Sequence, residues 1–385
     1  MKKYDVAIIG GGAAGMAAAG ALCERGRRTL LLDLGQTPAR KVAASGGGRC
    51  NFTNMAAGAD RYFGENPNFV RGALARVGAA DMLRWGEAHG LTFSEKAAGQ
   101  YFCDNGAGAV VAALARDAQG ADIKTSTVVH GAEYENSIFK IITDREIFWA
   151  EHIIIATGGI SFGALGVSEA GYQIARRFGH KVIPPRPGLC AIKTGAFSES
   201  LAGISQQVEI KAGGRKIQDS LLFTHFGIGG PAAYRASLAD ANTDICINFL
   251  PGVDVFEWLR AQKKLHGRKS PANVLGAVMP MGLARYFAGS TQGNIADIRD
   301  SILRDIAGRV QNTTLPAGTW RHHGMAAAEV TFGGVSTENI SSKTMESKLQ
   351  AGLFFAGEVM DITGDLGGFN LQWAWASGRV AGNNA

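Results

Sequence analysis

The sequence predicts an α/β protein in which a Rossmann-type domain is split by an insert, antiparallel β at its ends and helical in its middle. Three observations predict it. Residues 4–33 read as strand, glycine turn, helix, strand and acid. Two further apolar runs, Ile153–Ile155 and Leu353–Phe355, have the continuous hydrophobic character of buried strands in the same sheet. The stretch between them changes its hydrophobic period from two to the helical 3.6 and back.

Tyr4 to Ile9 is a short β-rich run. It meets Gly10-Gly11-Gly12-Ala13-Ala14-Gly15, which fits G-x-G-x-x-G at Gly10, Gly12 and Gly15. Ala- and Leu-rich sequence continues helically to Glu24-Arg25, and Gly26 is the stop. Thr29 to Leu32 is the second strand, ending in Asp33. In this context each glycine has its own task. Gly10 allows the tight turn, Gly12 lets a pyrophosphate touch the backbone, and Gly15 lets helix pack on strand. The helix N-terminus offers N–H groups and partial positive charge to phosphates, through Ala13 and Ala14 as well. Asp33 is placed to accept hydrogen bonds from ribose hydroxyls.

Ile153-Ile154-Ile155 runs into Ala156-Thr157-Gly158-Gly159, and Leu353-Phe354-Phe355 into Ala356-Gly357-Glu358. After Asp361 and Gly364 come Gly367-Gly368-Phe369-Asn370 and a helix from Leu371 to Arg379. The nucleotide domain is therefore read as discontinuous, 1–187 completed by 332–385. Pro184-Pro185-Arg186-Pro187-Gly188 bounds the insert. Residues 188–253 and 313–331 hold alternating runs such as Gln207–Lys211 and Ile245–Phe249, which read as antiparallel β. Residues 254–312 have helical spacing and read as a small helical domain.

With 46% hydrophobic and 19% charged residues, the chain is neither disordered, collagen-like nor coiled coil. Gly is the outlier at 53 of 385 residues, about twice the usual ~7%. Net charge is +6 and the pI is near 9.1, which permits a polyanionic partner without demanding one. Residues 254–312 carry nine basic and five acidic side chains, densest over 260–269 with Arg260, Lys263, Lys264, Arg268 and Lys269. That cluster is read either as a solvated helix end or as a contact for a phosphate backbone. The five cysteines form no Cys-x-x-Cys, and no apolar run reaches the ~18 residues of a membrane span. Both features suit a cytoplasmic protein. His322-His323 is adjacent in sequence and is not read as a metal site.

The cofactor the residues point to is FAD. Asp33 repels a 2′-phosphate, and a helix opening after Gly367-Gly368-Phe369-Asn370 can aim its N–H groups at a flavin pyrimidine edge. No second G-x-G-x-x-G lies between a strand and a helix, so NAD(P)H is expected as a transient reductant at the flavin face. Ser45-Gly46-Gly47-Gly48-Arg49-Cys50-Asn51-Phe52-Thr53-Asn54 adds a close-approach loop. There Arg49 can serve the pyrophosphate or a substrate carbonyl, and Asn51 the flavin ring. Cys50 is either structural or redox-active, with no partner cysteine within five residues. The cofactor-binding set is thus Gly10, Gly12, Ala13, Ala14, Gly15, Asp33, Lys41, Gly47, Gly48, Arg49, Asn51, Thr157, Gly158, Gly357, Glu358, Gly367, Gly368, Phe369 and Asn370. His225, in Leu222-Phe223-Thr224-His225-Phe226-Gly227, is the titrating group read as nearest a substrate.

These motifs, with Ala328–Val335, Thr344–Ser347 and Phe355–Asp361, run in order along nearly the whole chain. Together they resemble the HI0933-like flavoprotein family (the BaiN/RdsA or YhiN-like proteins). The resemblance implies a split FAD-binding Rossmann domain, an inserted antiparallel β-barrel and a small helical subdomain. It also implies reduction of a C=C bond conjugated to a carbonyl. Gly99–Cys103 and Gly159–Ser168 resemble the branch that forms dihydrouridine in large-subunit (23S) ribosomal RNA. Other members act on steroid enones or aminoacetone, so a small molecule is the alternative substrate. The proton donor for such a reduction is read as Cys50, Cys103, His225 or Tyr101. Asp33 stands where a Glu is common in the family, and Gly229-Gly230 where many members have a Ser.

Overall fold

The computed structural model describes residues 3–97 and 99–385. The chain forms two compact units, one comprising the chain up to Arg186 with Glu329–Ala385, the other Pro187–Ala328.

The first unit is a mixed α/β Rossmann-type fold. Its seven-stranded sheet runs Asp122–Lys124, Thr29–Leu32, Lys3–Ile9, Ile147–Ile155, Ile138–Thr143, Val129–Glu135, and Leu353–Phe355 pairs with Ile147–Ile155. The pairs from Asp122–Lys124 to Ile147–Ile155, and the one to Leu353–Phe355, are parallel. Parallel strands are buried on both faces, and Val6, Ile8, Leu31, Ile154 and Phe355 are all fully buried. Burial of each such side chain contributes roughly 1.5–3 kcal/mol.

Register brings the strand ends level. Ile9 stands opposite Leu32 and Ile155, and Ile155 opposite Phe355. The carboxyl ends of four strands therefore share one edge, where Gly10, Asp33, Ala156 and Ala356 begin the connecting turns. In open α/β sheets that edge is where ligands bind.

Two helices close the unit on one side, Ala13–Glu24 and Phe369–Asn384. They meet through backbone. A Cβ at Gly378 would lie 2.3 Å from the Ala14 carbonyl oxygen, and one at Gly382 2.5 Å from that of Ala18. The final helix also buries Trp373 and Trp375. Trp375 Nε1 donates to the Phe52 carbonyl at 2.9 Å. That bond ties the helix to a small antiparallel sheet of Asn51–Asn54, Gln100–Cys103 and Phe93–Glu95.

His180 shows how tightly this core excludes charge. Its Nε2 shares a 2.8 Å hydrogen bond with Ser347 Oγ, its ring stands edge-on to Phe355, and Nδ1 has no partner among the described residues. Burial pushes its pKa down from 6.5 to about 4. A depressed pKa means the unfolded chain binds the proton first. The stabilising contribution is thus complete above pH 6.5 and is lost as pH falls from there through about 4. The expected loss across that window is about 3 kcal/mol. Urea unfolding of wild type and His180→Gln at stepped pH checks this. The wild-type midpoint should fall below pH 6.5 more steeply than that of the variant.

The second unit is a seven-stranded antiparallel sheet with helices on its core side. The strand order is Thr313–Leu315, Ile245–Asn248, Ser205–Ala212, Arg215–Thr224, Gly227–Gly229, Ile192–Thr194, Trp320–His322. This is an open path, not the closed barrel that the family resemblance implies. Among the described residues the two end strands do not pair. The Pro316–Thr319 turn between them is held instead by the 241–244 loop, Gly318 N–H donating to the Ala241 carbonyl and Ala317 N–H to Asp244 Oδ1. The helices Val255–Leu265, Pro271–Leu275, Met281–Ala288 and Asp300–Gln311 share one apolar core with the sheet, where Phe249 packs on both Phe223 and Phe287. Asp254 caps the first of them by accepting from the Glu257 N–H. Among the described residues no helix is long and apolar enough to cross a membrane.

Candidate cofactor and active site

The glycine turn has the shape of a phosphate cradle. Gly10 has φ +107°, and a Cβ there would sit 2.3 Å from the Ala156 carbonyl oxygen. At Gly15 a Cβ would lie 1.8 Å from the Gly10 oxygen, so helix and strand can approach this closely only without one. Gly12 differs. Nothing lies within 4 Å of its Cβ direction, and its φ of −73° is open to any residue. The N–H groups of Ala13, Ala14 and Gly15 have no acceptor among the described residues. Three donors beside an empty approach at a helix N-terminus fit the pyrophosphate of a dinucleotide.

Asp33 is buried, and the protein itself engages both of its oxygens. Oδ2 accepts from Gly11 N–H at 2.7 Å, and Oδ1 from Gly35 N–H at 2.7 Å and Arg40 Nη2 at 3.3 Å. Asp33 therefore latches the glycine turn to the loop after the second strand. A carboxylate oxygen has a further lone pair for a ribose hydroxyl, but the latch is its structural work. Arg40, which the sequence reading passed over, packs its guanidinium against Gly35 and Gly166.

The C-terminal loop places its glycines and its asparagine differently. A Cβ at Gly368 would meet the Thr53 carbonyl at 2.6 Å and Asn51 Oδ1 at 3.0 Å, and one at Gly367 would meet the Gln100 amide at 2.4 Å. Asn51 Oδ1 is buried without a hydrogen-bond partner, and the first-turn N–H groups of Phe369, Asn370 and Leu371 have no acceptor among the described residues. This orphaned amide oxygen beside free helix donors fits a ring that presents both donors and acceptors, such as a flavin pyrimidine edge. The Asn370 side chain does not face that space. Its Oδ1 accepts from Gly364 N–H at 2.8 Å, and its Nδ2 donates to the Gly364 carbonyl at 2.9 Å. Phe369 is likewise turned into the core, edge-on to Tyr62, whose hydroxyl donates to the Phe369 carbonyl. Both shape the loop, and neither side chain is offered to a cofactor.

A polar cluster lines the turn after Ile155. Glu358 Oε1 accepts from Thr331 N–H at 2.8 Å and Ser161 Oγ at 3.3 Å, and Oε2 from Lys41 Nζ at 3.2 Å. Thr331 Oγ1 accepts from the Ile160 and Ser161 N–H groups at 2.8 and 2.9 Å. Lys41 and Glu358 are thus paired with each other. Ser161 and Thr331 were missed in the sequence, where Ala328–Phe332 gave only a strand signal. Thr157 packs its hydroxyl against Gly171, leaving its backbone and Gly158 at the sheet edge. Gly357 abuts Ala14 on the first helix, and a Cβ there would lie 2.8 Å from that of Ala14. Gly47 and Gly48 have positive φ and nothing within 4 Å of their Cβ directions. Arg49 is exposed, with its guanidinium over the Phe102 ring at 5.3 Å.

Three of the four proton-donor candidates come together. Asn51 pairs with Phe102, so Cys50 and Cys103 are cross-strand neighbours, and Cys103 N–H donates to the Cys50 carbonyl at 3.3 Å. Both thiols are buried. Burial pushes the Cys50 thiol up to about 12 and raises that of Cys103, so both stay protonated at neutral pH. Tyr101, two residues before Cys103, is half-buried, and its hydroxyl donates to Glu95 Oε2 at 3.4 Å. His225 belongs to the other unit, exposed at the turn before Gly227.

The basic run at 260–269 is partly neutralised. Arg260 pairs with Glu257 at 3.0 Å and Asp300 at 3.4 Å, and Lys263 with Asp300 at 3.0 Å. Lys264, Arg268 and Lys269 remain exposed.

The HI0933-like protein Rossmann domain matches residues 4–384. The chain belongs to the HI0933-like family. A relative from Escherichia coli (strain K12), named ribosomal RNA dihydrouridine synthase, is 38% identical over 390 residues, covering 98% of this chain and 96% of that protein. A second of the same name, from Haemophilus influenzae (strain ATCC 51907 / DSM 11121 / KW20 / Rd), is 39% identical and covers 98% and 97%. A 3-dehydro-bile acid delta(4,6)-reductase from Clostridium scindens (strain ATCC 35704 / DSM 5676 / VPI 13733 / 19) is 29% identical and covers 99% and 98%. All three span the whole length of this HI0933-like chain, so the family likeness includes the insert.

Proposed function

We propose that this HI0933-like protein is an FAD-dependent oxidoreductase that reduces uridine to dihydrouridine in large-subunit ribosomal RNA. The observation that carries this is the 38–39% identity, over 98% of the chain, to two proteins named ribosomal RNA dihydrouridine synthase. The 29% likeness to a bile acid reductase favours a second reading, reduction of a small conjugated enone. Either substrate has a C=C bond conjugated to a carbonyl.

FAD, when bound, would supply hydride chemistry at the β-carbon, with NAD(P)H as the proposed reductant. The chain supplies the rest. The N–H groups of Ala13, Ala14 and Gly15 would hold the pyrophosphate, and Asp33 fixes the turn that aims them. Asn51 Oδ1 and the first-turn N–H groups from Phe369 to Leu371 orient the flavin's polar edge. Of the donor candidates on this unit, Tyr101 is the one not fully buried, and it is the group we assign to hand a proton to the α-carbon. Cys50 and Cys103, buried and protonated, support the sheet behind Tyr101. With a ribosomal RNA substrate, the location we propose is the cytoplasm.

The test is direct. FAD-loaded protein with NADPH or NADH is given large-subunit rRNA lacking the modification and, separately, a steroid enone. Nucleoside mass spectrometry should find dihydrouridine in the RNA. Enone consumption with unaltered RNA would instead support the second reading.

A further inference from the structure

The unit formed by Pro187–Ala328 carries an unneutralised basic and aromatic surface that its sequence scatters over three segments. Ile192–Thr194 pairs with Trp320–His322, with Lys193 directly opposite Arg321. Ile192 and Trp320 point into the core, so Lys193 and Arg321 stand side by side on the other face. Neither has an ion-pair partner among the described residues, whereas Lys216 of the same sheet and Arg235 of the helix Gly230–Ala236 are paired with Glu209 and Asp219. Two like charges set opposite each other without a counter-ion destabilise a sheet, which calls for an anionic ligand.

Beside them is an aromatic pair. Phe226 stacks on His323 with ring centroids 4.2 Å apart and planes 14° apart. Backbone bonds fix both to the Lys193 strand: Thr194 N–H donates to the Phe226 carbonyl at 3.0 Å, and His323 N–H to the Ala191 carbonyl at 2.9 Å. Phe226 is nevertheless 38% exposed. Burial and then the Lys193 charge hold the His323 imidazole below its ordinary pKa, so at neutral pH it is an uncharged stacking ring. A flat ring pair beside two free cations matches an unpaired nucleotide, whose base stacks while its phosphates meet ammonium and guanidinium. The run at 260–269 keeps three exposed cations but sets no stacked ring pair beside them, and Arg260 and Lys263 are tied to Glu257 and Asp300.

We propose that this sheet face, with Lys193, Arg321, Phe226 and His323, binds an unpaired segment of the RNA substrate. The proposal rests on the RNA reading above and places that contact on the insert.

The experiment measures binding of fluorescent oligouridine RNA to the FAD-loaded full chain across a salt series, with FAD absorbance and melting temperature as controls for folding. Phe226→Ala should weaken binding about tenfold, and Phe226→Trp should restore it. Lys193→Ala combined with Arg321→Ala should flatten the slope of log K against log salt by about 1.4, or about 0.7 per phosphate contact on a single strand. Wild type that binds while these variants bind equally overturns the placement alone. Wild type with no salt-dependent affinity overturns the RNA substrate itself. Equal competition by polyglutamate overturns the nucleotide assignment, because the face then reads charge without base.

Discussion

Gly12→Asp is expected to give a well-folded protein that cannot hold FAD. Residue 12 has φ −73° and ψ −167°, ordinary for an N-cap, and nothing occupies the space a side chain would enter. Asp is among the best N-caps, so the protein without cofactor should be as stable as wild type or about a few tenths of a kcal/mol more so. The new carboxylate would bond the same helix N–H groups that we assign to the pyrophosphate, and would repel it. Two like charges about 4 Å apart interact by roughly 4 kcal/mol at an effective dielectric of 20, equivalent to about a thousandfold in affinity. Flavin fluorescence titration of deflavinated protein checks this. A Kd within about tenfold of wild type would contradict the placement of the phosphates.

Asp33→Ala should have the second large effect, and it acts on the fold. The substitution removes the acceptor of two backbone N–H groups, Gly11 and Gly35, each bonded at 2.7 Å in a buried setting. Leaving a buried donor unsatisfied costs about 1–3 kcal/mol, so the pair should cost roughly 3–5 kcal/mol. Urea unfolding without FAD isolates this from cofactor binding. A ribose contact alone would leave the stability without FAD unchanged, and that outcome would show that the latch carries little of the fold.

The glycine turn was legible in the sequence because Gly10 and Gly15 answer steric demands that no other residue meets at those places, while Gly12 leaves open the space a ligand would enter. The meeting of the two ends of the chain was legible as well, since Leu353–Phe355 reads as a strand with no local partner. Side-chain destinations were not. Asp33 sits where the sequence puts it, but the N–H groups that surround it come from turns whose shape is tertiary. Asn370 looks like a cofactor ligand beside two glycines, yet its amide closes its own loop on Gly364. Cys50 lacks a neighbouring cysteine in sequence and gains one across a strand pair. Counting charges drew attention to 260–269, where helix packing supplies Asp300 as a counter-ion. It overlooked Lys193 and Arg321, which are far apart in sequence and adjacent in register.

The central claim is tested most directly by nucleoside mass spectrometry of large-subunit rRNA from a strain lacking this gene and from the same strain complemented with it. The account predicts that dihydrouridine disappears on deletion, returns with the wild-type gene, and fails to return with Gly12→Asp. Dihydrouridine unchanged by deletion would contradict it and would move the reaction to a small conjugated enone.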